Sequence, residues 1–321
     1  MSITVGVIGA GAMGTAVAQT VAPNANVLLY ARREEICNDI NNNNVNSQYF
    51  PNVKLHENIS AVCNLDDLKD VEAVFLCIPS SVMRELVEKL NKIVSTDCIF
   101  VSTAKGIENK TNKTMTDIIE EITKRPPVAF SGPNIASEMV KRLSASTTIA
   151  CSDETYLNKV KEILVTDSFK VNANTDVIGT EFCGIIKNIV AISQGICEGM
   201  DINNNAKFAV FTKSYNETKD IIEKLGGKRD TVDDYCGFGD IVTASTLTVS
   251  RNHTLGVLSG QGIVVDEKAS GVLFEGKNTA IILKSLCDEL NVNSLTVNFV
   301  YEVIINQANP KNAFYKLWEQ L

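Results

Sequence analysis

Lys187 sits in the run Glu181-Phe-Cys-Gly184-Ile-Ile-Lys187-Asn188-Ile-Val-Ala-Ile192, which is apolar at helical spacing. Burying an ammonium without a partner is expensive, so a lysine there acts as a proton donor or anion ligand unless it snorkels to the surface. A second chemical signal lies near the start of the chain, in Thr4-Val-Gly-Val-Ile-Gly-Ala-Gly-Ala-Met-Gly-Thr-Ala-Val-Ala18. Gly9, Gly11 and Gly14 have the spacing G-x-G-x-x-G between an apolar strand and a helix of small residues. In that pattern Gly9 permits the tight turn, Gly11 lets the backbone approach a pyrophosphate, and Gly14 lets the helix pack against the strand. The helix N-terminus then offers free N–H groups and the positive end of its dipole to an anion.

These residues need elements to hold them. Strand-like runs occur at Ile3–Ile8, Asn26–Tyr30, Ala73–Ile78, Cys98–Ser102, Val128–Ser131 and Ser146–Ala150. Helical patterns lie between them, as at Ser81–Lys92 and Asn112–Lys124. The alternation predicts parallel βαβ units in an α/β, Rossmann-type doubly wound parallel sheet, with the short apolar runs buried on both faces. Such sheets bind ligands beyond the carboxyl ends of their strands. From about Thr175 the pattern becomes helical, at Val177–Met200, Ala206–Leu225, Glu275–Leu290 and Thr296–Gln307. The expected organisation is a dinucleotide-binding domain over 1–176 and an all-helical substrate-binding domain over 177–321. The polar stretch from Asn41 to Pro51 reads as a loop.

The second strand ends in Val27-Leu-Leu-Tyr30 and runs on into Ala31-Arg32-Arg33. A site preferring NAD commonly has an acid there for the ribose diol. Arg32 instead suits a 2′-phosphate and adenine, which favours NADP over NAD. Glu34 and Glu35 read as the opening of the next helix, where acids suit the dipole.

Bulk properties bound the reading. With 321 residues the chain suits two domains, and a net charge of −8 argues against nucleic-acid or anionic-membrane partners. The first apolar run reads as a strand and not a signal peptide, and no apolar stretch is long enough to span a bilayer. The nine cysteines are odd in number and lack C-x-x-C spacing. Buried free thiols in a reducing cytoplasm are expected, with no metal site and no disulfide framework. Of the two histidines, His56 reads as a polar loop residue and His253 as pointing to solvent.

Further segments stand out: Phe100-Val-Ser-Thr-Ala-Lys105-Gly106, Phe130-Ser-Gly132-Pro-Asn134-Ile-Ala136-Ser-Glu138, Gly237-Phe-Gly239-Asp240 and Ser250-Arg251-Asn252. With the glycine loop, the lysine segment and Glu275-Gly-Lys-Asn-Thr279, they form an ordered set. That set resembles the NAD(P)-dependent glycerol-3-phosphate dehydrogenases of the bacterial type over nearly the whole chain. The resemblance implies reversible reduction of dihydroxyacetone phosphate to sn-glycerol 3-phosphate, with hydride from the nicotinamide, feeding glycerophospholipid synthesis. It also implies a small phosphorylated substrate, a cytoplasmic setting and a homodimer.

Carried onto matching positions, the family pattern makes Lys187 the proton donor or acceptor, with Asp240 beside it. Lys105, Gly132, Asn134, Asp240, Ser250, Arg251 and Asn252 would line the substrate. Gly9, Gly11, Ala12, Met13, Gly14, Arg32, Lys105, Ala136, Arg251, Leu273 and Glu275 would contact the cofactor. The chemistry agrees: an ammonium stabilises and protonates the oxygen that gains charge during reduction. A second cation at Lys105 would lower the pKa of Lys187. Arg251 offers a planar fork for phosphate, and Asn252 adds neutral hydrogen bonds. Asp240 can hold Lys187 in place. Asp240 and Ser250 also fit helix caps, and Glu275 fits an exposed acid at a helix start. The chain departs from the pattern at Asn134-Ile135, at Ala244 in place of a threonine, and at Lys207 in place of an arginine. The loss at Ala244 bears on the network orienting the lysine. Two other readings stay open: a β-hydroxyacid dehydrogenase or ketopantoate-type reductase acting on carboxylates, and a nucleotide sensor without catalysis.

Overall fold

The structure is a computed structural model that describes residues 3–109, 111–247, 250–265 and 274–321. The chain divides into two compact units, Met1–Glu108 with Lys113–Val177, and Asn109–Asn112 with Ile178–Leu321.

The first unit is built on eight strands among the described residues: β1 Thr4–Ile8, β2 Asn26–Tyr30, β3 Ile59–Val62, β4 Ala73–Leu76, β5 Ile99–Ser102, β6 Val128–Ser131, β7 Ala145–Ala150 and β8 Phe169–Asn174. Their order is β3-β2-β1-β4-β5-β6-β7-β8. Helices α1 Ala12–Val21, α2 Glu34–Asn43, α3 Met83–Leu90, α4 Met115–Thr123, α5 Ala136–Met139 and α6 Glu154–Leu164 follow the strands. Alternation along a strand sends side chains to opposite faces, and both faces are dry. Phe75 and Val101 join one core with Val17, Ile40 and Val160 of α1, α2 and α6. Val74, Leu76 and Phe100 join the other with Met83, Leu90 and Ile118 of α3 and α4. Each such side chain contributes about 1.5–3 kcal/mol on burial, which is why these strands read as continuous apolar runs.

The doubly wound, mostly parallel sheet is as the alternation predicts, and finer expectations are corrected. The sheet is parallel from β3 to β6, but β7 pairs antiparallel with β6 and parallel with β8. The single-turn α5 is too short for a crossover that would return the chain parallel. Asn41–Asn43 belong to α2, which stops at left-handed Asn44 (φ 51°), so the loop begins later than its composition suggests. Cys37 and Cys63 form a disulfide, whereas free thiols are expected from the sequence. Cys37 sits in α2 and Cys63 just beyond β3, and the pairing of β2 with β3 brings together two residues far apart in sequence. The other seven cysteines are not disulfide-bonded.

The second unit is helical in its described residues: α7 Val177–Gly199, α8 Asn204–Lys224, α9 Asp240–Thr246, α10 Arg251–Gly260, α11 Glu275–Glu289, α12 Leu295–Ile304 and α13 Pro310–Trp318. The long α7 is buried along most of its length. Glu217 of α8, also buried, accepts hydrogen bonds from Ser294 Oγ and from the amides of Leu295 and Thr296, capping α12. Among the described residues no helix is long and apolar enough to cross a membrane.

Candidate active site

The glycine loop joins β1 to α1, and its three glycines do different work. Gly9 is left-handed (φ 103°), and a Cβ there would lie 2.7 Å from the Cys77 carbonyl oxygen. A Cβ on Gly14 would lie 1.8 Å from the Gly9 carbonyl oxygen, so α1 sits directly against the turn. Gly11 has nothing within 4 Å of where a Cβ would point. It is also the N-cap of α1 and supplies no side-chain cap. The helix therefore starts without a side-chain cap and with open space at Gly11, which suits a pyrophosphate. Asn46, nearly fully buried, ties the following loop to this cradle by donating to the Ala10 carbonyl and to Thr15 Oγ1.

The carboxyl edge of the sheet sets the order of the remaining first-unit candidates. Arg32 lies just beyond β2, exposed, and Glu34 and Glu35 open α2 as expected. Arg33 is the N-cap of α2 and hydrogen-bonds Gln48. Lys105 follows β5, three strands from β2 across β1 and β4, or about 14 Å at the usual spacing of ~4.8 Å. The glycine loop lies between them, so the edge offers a guanidinium, an anion cradle and an ammonium in that sequence. Lys105 Nζ donates to the Gly132 carbonyl at 3.0 Å. Gly132 itself is hemmed in by Thr147, at 3.0 Å from a would-be Cβ. Asn134 accepts from Thr147 Oγ1 at 3.1 Å and donates to the Ser146 carbonyl at 3.2 Å. Its amide thus fixes the turn after β6, and Ala136 begins α5. Lys105, Gly132 and Asn134 are brought together, and Arg32 stands apart from them.

In the second unit Lys187 Nζ donates to Asp240 Oδ1 at 2.7 Å. The Lys187 side chain is 16% exposed and that of Asp240 3%, so the pair is largely sheltered. Asp240 is the first residue of α9 and follows a π-helical turn at Tyr235–Gly239. That turn requires Gly237, where a Cβ would lie 2.1 Å from the Val232 carbonyl oxygen. Asp240 therefore serves Lys187 and is not the N-cap, which is Gly239. The pair forms although position 244, one turn on, is an alanine; the neighbouring Thr243 hydroxyl donates to the Gly239 carbonyl.

A feature not read from the sequence positions Ser250, Arg251 and Asn252. Gly195 and Gly199 of α7 face Gly256 and Gly260 of α10. A Cβ on any of the four would come within 2.1–2.3 Å of a carbonyl oxygen of the opposite helix. Gly195 meets residues 253–257 and Gly199 meets 257–260, so the two helices run parallel with their backbones in contact. At ~1.5 Å rise per residue this registers the start of α10 with Ile189–Ala191, about one helical turn beyond Lys187. The two G-x-x-x-G spacings were the available signal. Ser250 caps α10 by accepting the His253 amide at 3.3 Å, and Arg251, the first helical residue, is exposed. Asn252 Oδ1 accepts the Gly276 amide at 3.2 Å, which sets Glu275, the first residue of α11, beside it. Leu273 lies outside the described residues.

His253 is corrected from its expected solvent position. It is 3% exposed, because the glycine contact turns its face of α10 onto α7. Its Nε2 lies 3.5 Å from Glu198 Oε2, the carboxylate that also accepts from Lys207 Nζ at 2.7 Å. Burial lowers the His253 pKa below its ordinary value, and the Glu198 charge opposes that shift.

The comparisons with known proteins match the chain in two parts. Residues 4–157 match the model for the NAD-dependent glycerol-3-phosphate dehydrogenase N-terminus, and residues 176–315 match the model for its C-terminus. A glycerol-3-phosphate dehydrogenase (NAD(P)+) of Clostridium acetobutylicum is 33% identical, covering 97% of this chain and 95% of its own. One from Exiguobacterium is 35% identical, covering 98% and 94%. The crystal structure of a glycerol-3-phosphate dehydrogenase from Coxiella burnetii superposes with a TM-score of 0.89 at 27% identity, covering 99% of both chains. The chain belongs to the NAD-dependent glycerol-3-phosphate dehydrogenase family.

Proposed function

We propose that this chain catalyses the reversible NAD(P)H-dependent reduction of dihydroxyacetone phosphate to sn-glycerol 3-phosphate. The observation that carries the reading is the Lys187–Asp240 pair at 2.7 Å, in a chain of this family. The bound nicotinamide supplies the hydride to the carbonyl carbon. Lys187 Nζ stabilises the negative charge that gathers on the carbonyl oxygen and delivers the proton that makes it a hydroxyl. Asp240 holds the ammonium in position. Arg251 takes the substrate phosphate, which a planar fork matches, with Asn252 adding a neutral hydrogen bond and Ser250 shaping the turn. By the family pattern Lys105, Gly132 and Asn134 are further substrate residues, and Glu275 and Ala136 belong to the cofactor's surroundings.

The same reading gives Gly9, Gly11, Ala12, Met13 and Gly14 the cofactor pyrophosphate and Arg32 the ribose. NADP is then preferred over NAD, because Arg32 is a cation where a diol-binding acid would otherwise stand. A homodimer in the cytoplasm, supplying glycerol 3-phosphate to glycerophospholipid synthesis, completes the proposal. It is supported by the family and by the ordered motifs.

The test is a matrix of NADPH and NADH against dihydroxyacetone phosphate and ketopantoate, followed by loss of reduced-nicotinamide absorbance. Turnover should be confined to the phosphorylated ketone. Replacing Lys187 by alanine should cut kcat by roughly 10²–10⁴-fold, the usual worth of a positioned acid, while leaving NADPH binding intact. Turnover of the carboxylate would favour the reductase reading. Cofactor binding without turnover of either ketone would favour the sensor.

A further inference from the structure

The first unit holds a cavity of about 330 Å³ that the proposed reaction does not use. It is lined by Gln19 of α1, by residues 53–56 ahead of β3, and by residues 140–142 just after α5. Lys54, His56, Lys141 and Arg142 bring four basic groups to it, and no acid lines it. That is a local reversal of sign in a chain of net charge −8.

The wall is held in place from within. Gln19 is 5% exposed, and its amide accepts the His56 backbone N–H at 2.8 Å and donates to the Lys54 carbonyl at 3.2 Å. Lys54 Nζ is steadied by the Asn43 carbonyl at 2.8 Å. Lys141 and Arg142 enter no ion pair among the described residues. His56 Nδ1 accepts the Asn58 amide at 3.1 Å, so in the neutral ring the proton resides on Nε2, a donor.

We propose that this cavity binds a phosphate group, separately from the pyrophosphate cradle at the glycine loop. Gln19 stands seven residues along α1 from Ala12, about 10 Å from the helix start at ~1.5 Å per residue. The donor set suits a tetrahedral dianion: the Arg142 fork, two ammonium point charges, and an imidazole N–H approaching from different elements. A bound dianion also stabilises the protonated ring of His56. At present burial first, and then the Arg142 charge, lower its pKa from the ordinary 6.5, with the exposed Glu57 opposing them. An anion that neutralises Arg142 reverses its effect on the ring.

The chain has only two histidines, which makes the test direct. The imidazole resonances of the full-length protein are followed by NMR through a pH titration, without additive, with inorganic phosphate, and with adenosine 5′-monophosphate. His253, in the second unit, is the internal control for anion binding near Arg251. The expected result is a rise of roughly one unit or more in the apparent pKa of His56 on saturation. That rise should be lost in the Lys141→Gln, Arg142→Gln double variant, whose unchanged His253 signal would verify folding. A response to phosphate alone or to both probes supports the site. Free phosphate is its ligand in the first case and a phosphate monoester is admitted in the second. The proposal is overturned if His56 titrates identically with and without the probes, if only His253 responds, or if the His56 shift survives in the double variant.

Discussion

Glycine is used in two opposite ways in the two units of this chain. At Gly11 the missing side chain leaves open space at a helix start without a side-chain cap. At Gly195, Gly199, Gly256 and Gly260 the space is already filled by the carbonyl oxygens of a neighbouring helix. The first use reserves volume for a ligand that arrives later. The second spends it during folding, and the return is position: two parallel helices whose backbones touch have little freedom to slide. In the proposed function, chemistry at Lys187 and Arg251 depends on that fixed register, whereas binding at the glycine loop depends on a volume staying free.

The contrast can be broken most severely in the helix pair. A leucine at Gly256 would place its Cβ 2.3 Å from the Ile192 carbonyl oxygen, so α10 must move. Overpacking of this kind costs about 1–3 kcal/mol or more, and a shift of about 1 Å at a reacting group costs on the order of 10²-fold in rate. The expected outcome is a lower melting temperature together with a collapse of kcat. Unchanged melting with full turnover would show that the glycine contact does not set the register.

The converse experiment is valine at Gly11. Nothing is displaced in the fold, so stability should change by less than about 0.5 kcal/mol. NADPH affinity should nevertheless fall steeply, because the new side chain occupies the approach to the helix amides. Equal losses of stability and affinity would erase the distinction between the two uses of glycine. A finer cut is Arg32→Gln. It should raise the KM for NADPH by about tenfold, the worth of one charge-assisted contact, and barely alter that for NADH. Parallel losses for both coenzymes would remove the 2′-phosphate from the role of Arg32.

The smallest expected effect is a pH dependence confined to the helix pair. The His253 pKa is lowered by burial from the ordinary 6.5, so the unfolded chain binds its proton more readily than the folded one. The stabilisation from neutral His253 is then complete above the ordinary value and is lost as pH falls through the lower folded value. Melting temperatures measured across that range should fall less steeply in His253→Gln than in the parent. An identical slope would mean that His253 does not titrate with unfolding.

What could be read in advance depended on where each residue lies in the sheet or helix pair. β2 and β6 begin and end where their apolar runs do, because both are flanked by strands and helices. β3 and β8 escaped notice for the opposite reason. They are the two edge strands, and Ile59-Ser-Ala-Val62 and Phe169-Lys-Val-Asn-Ala-Asn174 carry the polar residues that an edge tolerates. Lys187 was conspicuous because a charge in an apolar helix must be answered, and Asp240 answers it. His253 was misjudged because burial on a helix is a property of what packs against it.

By itself the sequence determined the local grammar of this protein. It specified the strand–glycine–helix turn, the alternation that builds a parallel sheet, the helical second half and the lysine with its ordered companions. Those are consequences of backbone sterics and of apolar periodicity, which act over a few residues at a time. Only the tertiary structure decided which way β7 runs, that Cys37 meets Cys63, and that a glycine-to-glycine contact carries Arg251 and Asn252 to within about one helical turn of the level of Lys187. It also decided that Gly11 faces open space while Gly256 faces a carbonyl. A glycine is the same residue in both places, and only the neighbour brought to it by distant parts of the chain gives the missing side chain its purpose.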